Sequence, residues 1–154
     1  MRETERIHDQ IRRAFEGEAW HGPSLREALE GVTAEQAAAR SIPNAHTIWE
    51  LVLHLAAWED VVRRRMGGER VVEPDEGDWP TVQDTSEAAW QAAKDHLQAR
   101  HQALLETVSA LDEATLDEKP YEGTVSRYVG LHGIAEHTAY HAGQIALLKK
   151  VASA

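Results

Sequence analysis

Apolar residues recur along most of the chain at alternating three- and four-residue steps, the spacing of helices that bury one face. Ile7, Ile11, Ala14 and Phe15 form such a stripe and predict a first helix over 3–18. The run Trp20-His21-Gly22-Pro23 breaks it. Ser24 can then cap a short piece in which Leu25 and Leu29 face inward, closed by Gly31. Thr33 with Gln36 three residues on is a capping-box pattern for one further turn, and Pro43 and Asn44 end this irregular region. Thr47 and Glu50 repeat the box before Ile48, Leu51, Val52, Leu55 and Val62, a second long helix stopped by Gly67 and Gly68. Residues 69–84, with Pro74, Gly77, Asp78, Trp79 and Pro80, read as an ordered crossover or lid, since loops this long are often functional. Asp84 with Glu87 offers a cap for a third helix striped by Trp90, Ala93, Leu97, His101, Leu104, Val108 and Leu111. A second irregular stretch over 113–127 precedes a last helix over 128–151. No strand, repeat or low-complexity segment interrupts the pattern. Four long helices with one apolar stripe each close around one core, which predicts an all-α four-helix bundle forming a single domain over 1–154.

Composition narrows the partners. Sixteen basic residues against 26 acidic give a formal net charge of −10, and no basic footprint for nucleic acid emerges. The Arg63-Arg64-Arg65 run suits the C-terminal turn of a helix, where cations complement the dipole. No apolar stretch approaches the roughly 20 residues that span a bilayer, and an acidic membrane surface would repel the chain. The charged N-terminus lacks an apolar signal core, so a cytoplasmic location is expected. There is no cysteine, which excludes disulfides, thiolate ligands and a protein thiol nucleophile. Any thiol chemistry needs a small-molecule thiol. Five of the nine aromatic residues are Trp, each expected to anchor a helix or wall a pocket.

Candidate chemistry gathers on histidine. His137 and His141 lie four apart on the last helix, one turn above each other, so both can grip one ion. Gln144, three residues on, can hydrogen-bond a ligand ring or a bound water. Nine histidines in 154 residues would give roughly half a pair at this spacing by chance, so the pair alone is a weak signal. His54 strengthens it: it shares the inward arc of the second helix with Leu51 and Leu55, where an imidazole needs a partner. Three imidazoles leave coordination positions open and keep the full charge of a metal, as a catalytic site does. Gly133 and Gly143 each cost about 1 kcal/mol against Ala inside a helix, which close packing or ligand room would offset.

Plainer readings stand beside these. His101 sits on the core stripe and reads as a core residue paired to a carbonyl, or else as a group behind a metal ligand. His46 precedes the Thr47 cap, a helix-entry or pocket-rim position, and Glu50 is explained by capping. His8, His21, His96 and His132 read as surface or structural. The zinc-protease pattern needs Glu directly after the first His, where Thr138 stands. Peptide hydrolysis of that kind is not expected, and Tyr140, Glu50 and Glu59 are the remaining candidates for proton transfer.

The segment 128–150, with Leu131-His132-Gly133-Ile134-Ala135-Glu136-His137-Thr138-Ala139-Tyr140-His141-Ala142-Gly143-Gln144-Ile145, resembles the C-terminal hallmark of the DinB-like (DinB/YfiT-like) superfamily of metal-dependent enzymes. His46-Thr47-Ile48-Trp49-Glu50-Leu51 and His54-Leu55-Ala56-Ala57-Trp58 resemble its second-helix motif, and Trp20 to Leu25 is similar to its early loop. The resemblance implies a variant up-and-down bundle, often a homodimer, holding nickel, zinc or a similar divalent transition metal on His54, His137 and His141. Some relatives are S-transferases or isomerases using bacillithiol, mycothiol or glutathione. The leading expectation is thus a metal-dependent S-transferase acting on a small-molecule substrate with a low-molecular-weight thiol. Gln144 would support a ligand and Trp58 and Trp79 would wall the pocket. The alternatives are a hydrolase using metal-activated water and a non-catalytic dimeric metal-binding or sensor bundle.

Overall fold

A computed structural model describes residues 1–154 and is entirely helical. Helix α1 (Glu3–Glu16) is followed by two short helices, α2 (Leu25–Leu29) and α3 (Ala34–Ala38). The long α4 (Ile48–Met66), α5 (Glu87–Ala110) and α6 (Arg127–Ala152) complete the architecture, with a single 3₁₀ turn at Glu113–Thr115. Helices α1 and α4 each pack against both α5 and α6, so the four long rods enclose one interior, and α2 closes over α6 and α1. No helix is long and apolar enough to cross a membrane.

Local chemistry sets the boundaries. Ser24, Thr33 and Thr47 each accept a hydrogen bond from the third residue of their helix, while Glu27, Gln36 and Glu50 reach back to the capping residue's N–H. Helix α1 ends two residues earlier than the stripe predicts, because Gly17 and Glu18 both take positive φ. Helix α5 is capped by Ser86 rather than Asp84. The Asp84 carboxylate accepts from the Ser86 N–H, and Glu87 bonds the N–H of Ala34 instead of closing a box. The three arginines end α4 as expected, with Gly68 at φ 85° turning the chain away.

The interior divides into two apolar clusters. One gathers Phe15, Leu25, Trp49, Leu55, Trp90, Leu97 and Ile145; the other gathers Ile7, Ile11, Val62, Leu104, Val108, Leu131 and Ile134. Between them every long helix but α1 contributes polar groups: His54 and Glu59 from α4, His101 from α5, and His137, Thr138 and His141 from α6. This polar layer crosses the molecule at one level, and the helical rods fix where each side chain enters it.

Tryptophans fill different roles. Trp90 is wholly buried and donates its indole N–H to the Val32 carbonyl at 2.8 Å, with Trp49 tilted against it. Trp20 anchors no helix, for its side chain is fully exposed, but it edges a surface hollow with His21, His132 and Ala135. It follows a helix stop, where the chain leaves the α1 stripe before α2 begins.

Candidate metal centre

Two rods bring three imidazoles together. His54 lies one turn before Trp58 on α4, and His137 and His141 are stacked one turn apart on α6. The Nε2 atom of His137 lies 2.9 Å from that of His54 and 3.0 Å from that of His141, and one nitrogen of each ring falls within 4.8 Å of the others. Ligands at about 2.0–2.1 Å from one ion, spaced 90–110° apart, are separated by about 2.9–3.4 Å. The two separations from His137 match that range, and the cluster is compatible with holding one divalent ion.

The far side of each ring decides what its near side can do. His54 donates Nδ1–H to the backbone carbonyl of Asp78 at 2.6 Å, with that residue's carboxylate at 3.2 Å. His141 donates Nδ1–H to the Gln144 side-chain carbonyl at 2.6 Å. Each Nδ1 thus carries the proton, leaving the Nε2 lone pair aimed at the shared centre. Two lone pairs then converge on His137, whose own Nε2 can donate to only one of them. A cation resolves that conflict for all three. The buried His137 Nδ1 has no partner, unlike the other two.

Electrostatics keep the rings neutral. Burial pushes His54 and His141 below the ordinary imidazole value, partly opposed by Asp78 in one case and by the Gln144 hydrogen bond in the other. His137 is lowered from 6.5 to about 4 by burial and then by the neighbouring His141 and His54. Protons compete with metals for these nitrogens, and a lowered pKa weakens the proton's hold. Bound metal is therefore expected to survive acidification through pH 6.5, where an unperturbed imidazole is half protonated, and to leave at more acidic pH, measured as metal retained after stepwise dialysis. Release centred at or above 6.5 would contradict this protonation picture.

The 69–84 segment covers the centre from one side. Trp79 stacks on His54 with ring centroids 3.9 Å apart and on His46 at 3.4 Å, a layered arrangement of three parallel rings. Trp58 donates its indole N–H to the Asp78 carboxylate at 2.7 Å. Asp78 thereby ties the loop to α4 twice, through its carbonyl and its carboxylate. Its sequence position in a long Pro/Gly-bearing loop gave no sign of this role beyond the loop itself. Gln144→Ala is expected to weaken metal affinity about 10–100-fold by freeing the His141 ring, while leaving helical content intact. A chelator-competition titration measures this, and an unchanged affinity would remove Gln144 from the site.

Other candidates fall elsewhere. His101 is fully buried, stacks on Phe15 at 3.7 Å, and meets the Glu59 carboxylate through Nδ1 at 3.1 and 3.2 Å. The expected carbonyl partner is thus replaced by a carboxylate, from a residue five positions after His54. Glu59 is itself wholly buried and bonds only His101, so it cannot relay a proton between the centre and solvent. Burial raises its pKa, with His101 opposing. Glu50 is occupied by Thr47, Arg40 and His46. Burial raises its pKa, but the Thr47 N–H and the Arg40 guanidinium outweigh that and hold it below the usual value. Tyr140 is exposed, its ring edge-on to His141. His8, His21, His96 and His132 stay outside the cluster.

An all-helical fold with three imidazoles gathered between two rods defines a class compatible with metal binding. The chain belongs to the DinB superfamily, whose family model matches residues 19–145. No curated protein sequence matches it significantly. Among solved structures, a conserved protein from Enterococcus faecalis is similar in fold, with a TM-score of 0.72 and 19% identity, covering 99% of this chain and 98% of that one.

Proposed function

We propose that this protein is a metal-dependent enzyme, with His54, His137 and His141 as ligands, that joins a low-molecular-weight thiol through its sulfur to an electrophilic small molecule, the thiol proton and any leaving group passing to solvent. The four long helices are read as a bundle of the variant up-and-down type, and Gln144, Trp58 and Trp79 as the surroundings that hold the bound groups. The observation that carries this reading is the pair of Nδ1–H bonds, from His54 to Asp78 and from His141 to Gln144. They commit both Nε2 lone pairs to one point. Three neutral ligands leave a divalent ion its full charge, and such an ion supplies the Lewis acidity that favours a thiol's ionised form near neutral pH.

The residues around the centre favour thiol transfer over hydrolysis. A hydrolase of the general-base kind needs a free carboxylate or imidazole within reach of the attacking water. Here Glu59 is sealed with His101 and Glu50 is held by Thr47, Arg40 and His46, while Asp78 accepts from Trp58 through one oxygen and leaves the other half-exposed. A thiol is acidic enough to ionise with far less help. The Trp79 ring over His54 and the Asp78–Trp58 bond shelter one side of the centre from water. The absence of cysteine means that the sulfur must come from the thiol cosubstrate.

The test is turnover of a generic electrophile such as monochlorobimane with bacillithiol, mycothiol and glutathione in turn, using metal-loaded and chelator-treated protein. Metal-dependent conjugation with one thiol, lost in His141→Ala, is the expected result. Ester cleavage by the loaded protein with inactivity toward every thiol would instead establish the hydrolase.

A further inference from the structure

Beside the centre, a small cavity of about 210 Å³ lies between α4 and α6, lined by Trp58, Val62 and Arg65 on one helix and Gly130, Gly133 and His137 on the other. His137 belongs to both the cavity and the imidazole cluster. From His137 to Gly130 is seven residues, or about 10 Å of helix axis, so the cavity runs as a short slot away from the centre. Two features of its lining bear on what it could hold.

The first is Arg65. Sixteen basic residues face 26 acidic ones in this chain, and most of the arginines near α4 find a carboxylate. Arg65 forms no ion pair. Its Nε and one terminal nitrogen donate to the Val71 and Val72 carbonyls at 2.8 and 2.9 Å. Its guanidinium lies 5.8 Å from the centre of the Trp58 ring and 6.0 Å from that of Tyr121. The cation is thus held in place by neutral groups, with its Nη1 atom free of any protein partner.

The second is Gly133. It sits in mid-helix with ordinary helical backbone, and a side chain there would meet nothing within 4 Å. Neither a turn nor close packing within the chain requires glycine, which lowers helix stability. It is among the residues that line the slot, and a Cβ there would meet open space.

We infer that the slot binds a small carboxylate, its anionic end on Arg65 and its other end directed along α6 toward His137. The fixed Arg contributes one charge-assisted hydrogen bond, Trp58 an apolar wall, and Gly133 the room. With Nε and one hydrogen of a terminal nitrogen engaged, three of the five guanidinium N–H groups stay free for an anion. Phosphate could use them too, but it has no hydrocarbon to lie against Trp58 and Val62, so the slot suits an organic acid better. The volume lies below the roughly 300–1,000 Å³ of drug-sized sites, which limits the ligand to a compact acid. This names a substrate class for the proposed enzyme and rests on that reading for its chemistry; the anion contact itself depends on Arg65.

The experiment is calorimetric titration of the full-length protein, metal-loaded and chelator-treated, with glutarate, its neutral diamide and inorganic phosphate at constant ionic strength. Glutarate is expected to bind saturably to both forms, and the diamide and phosphate at least about tenfold more weakly, the one for loss of a charge-assisted bond and the other for want of hydrocarbon. Arg65→Gln should weaken glutarate binding by a similar factor. Because Arg65 also holds the 71–72 backbone, Gly133→Val provides an independent variant: it leaves Arg65 intact, fills the slot, and should abolish binding without lowering thermal stability. No binding of glutarate to the wild type, equal binding of the diamide or phosphate, or unaltered binding in both folded variants would each overturn the inference. Metal uptake without glutarate binding would defeat this inference alone. Arg65-dependent glutarate binding by a protein that takes up no metal would defeat the metal reading alone.

Discussion

His137→Ala is expected to reduce tightly bound divalent metal from about one equivalent to a trace, while the helical circular dichroism spectrum is retained. His137 is the imidazole shared between the two close nitrogen contacts, so its loss leaves His54 and His141 with no third donor between them. Two imidazoles on separate rods hold a divalent ion far less well than three, and the coordination positions they lose pass to water. The fold should tolerate the change. His137 is only partly buried, its Nδ1 has no partner, and truncation removes a polar group from a crowded polar layer. Removing a neutral imidazole from between two convergent lone pairs relieves a conflict in the metal-free protein. Elemental analysis of wild type and variant, purified and reloaded in parallel, reads the result. Equal metal content in the two would mean that the ion sits elsewhere.

Glu59→Ala is expected to cause the opposite pattern, a large loss of stability with metal content preserved. Glu59 and His101 are each wholly enclosed and are each other's only polar partners. Removing one member of a buried pair strands the other and costs roughly 3–5 kcal/mol. At about 2–4 °C per kcal/mol for a chain of this size, the melting temperature should fall by roughly 6–20 °C. The pair lies in the same polar layer as the three imidazoles but faces Phe15 and α5, so the folded variant should still bind metal. Thermal denaturation together with metal analysis below the transition separates the two effects. A melting temperature within a few degrees of wild type would deny the pair its structural role. Loss of metal from folded Glu59→Ala would place it in the site after all.

Thr47 and Glu50 marked the start of α4 in the sequence as clearly as they do in space, because both halves of a capping box are local. The third long helix shows the limit of such reasoning. Asp84 and Ser86 are both good capping residues two positions apart, and Glu87 was free to pair locally or, as it does, to reach Ala34. Long-range geometry chose between them. The same distinction runs through the site. His137 and His141 were legible from a four-residue spacing, and Gln144 from one further turn. His54 was legible because an imidazole stood on an apolar arc. Asp78 was not, since its part depends on how a 20-residue connection between α4 and α5 folds back onto His54 and Trp58 (Gly67 to Ser86).

His101 carried the same sequence signal as His54, an imidazole on a core stripe, and the two went different ways. What separates them is the partner presented by α4. Glu59 meets His101, while His54 looks across to α6. No pattern along one helix records which neighbour lies opposite, so the core histidine and the candidate ligand are distinguished only in the assembled fold. Gly133 was conspicuous in the sequence as a helix-weakening residue, and its room is real, opening onto the slot beside His137. Gly143 also faces open space, and nothing in the structure explains it.

X-ray absorption at the metal K-edge of the reconstituted protein, with zinc or nickel supplied at one equivalent, examines the convergence of the three rings directly. Three imidazole nitrogens at about 2.0–2.1 Å, with the multiple-scattering pattern of His rings and the remaining positions filled by light atoms, is the expected spectrum. A shell of oxygen donors with one imidazole or none would show that His54, His137 and His141 do not hold the ion.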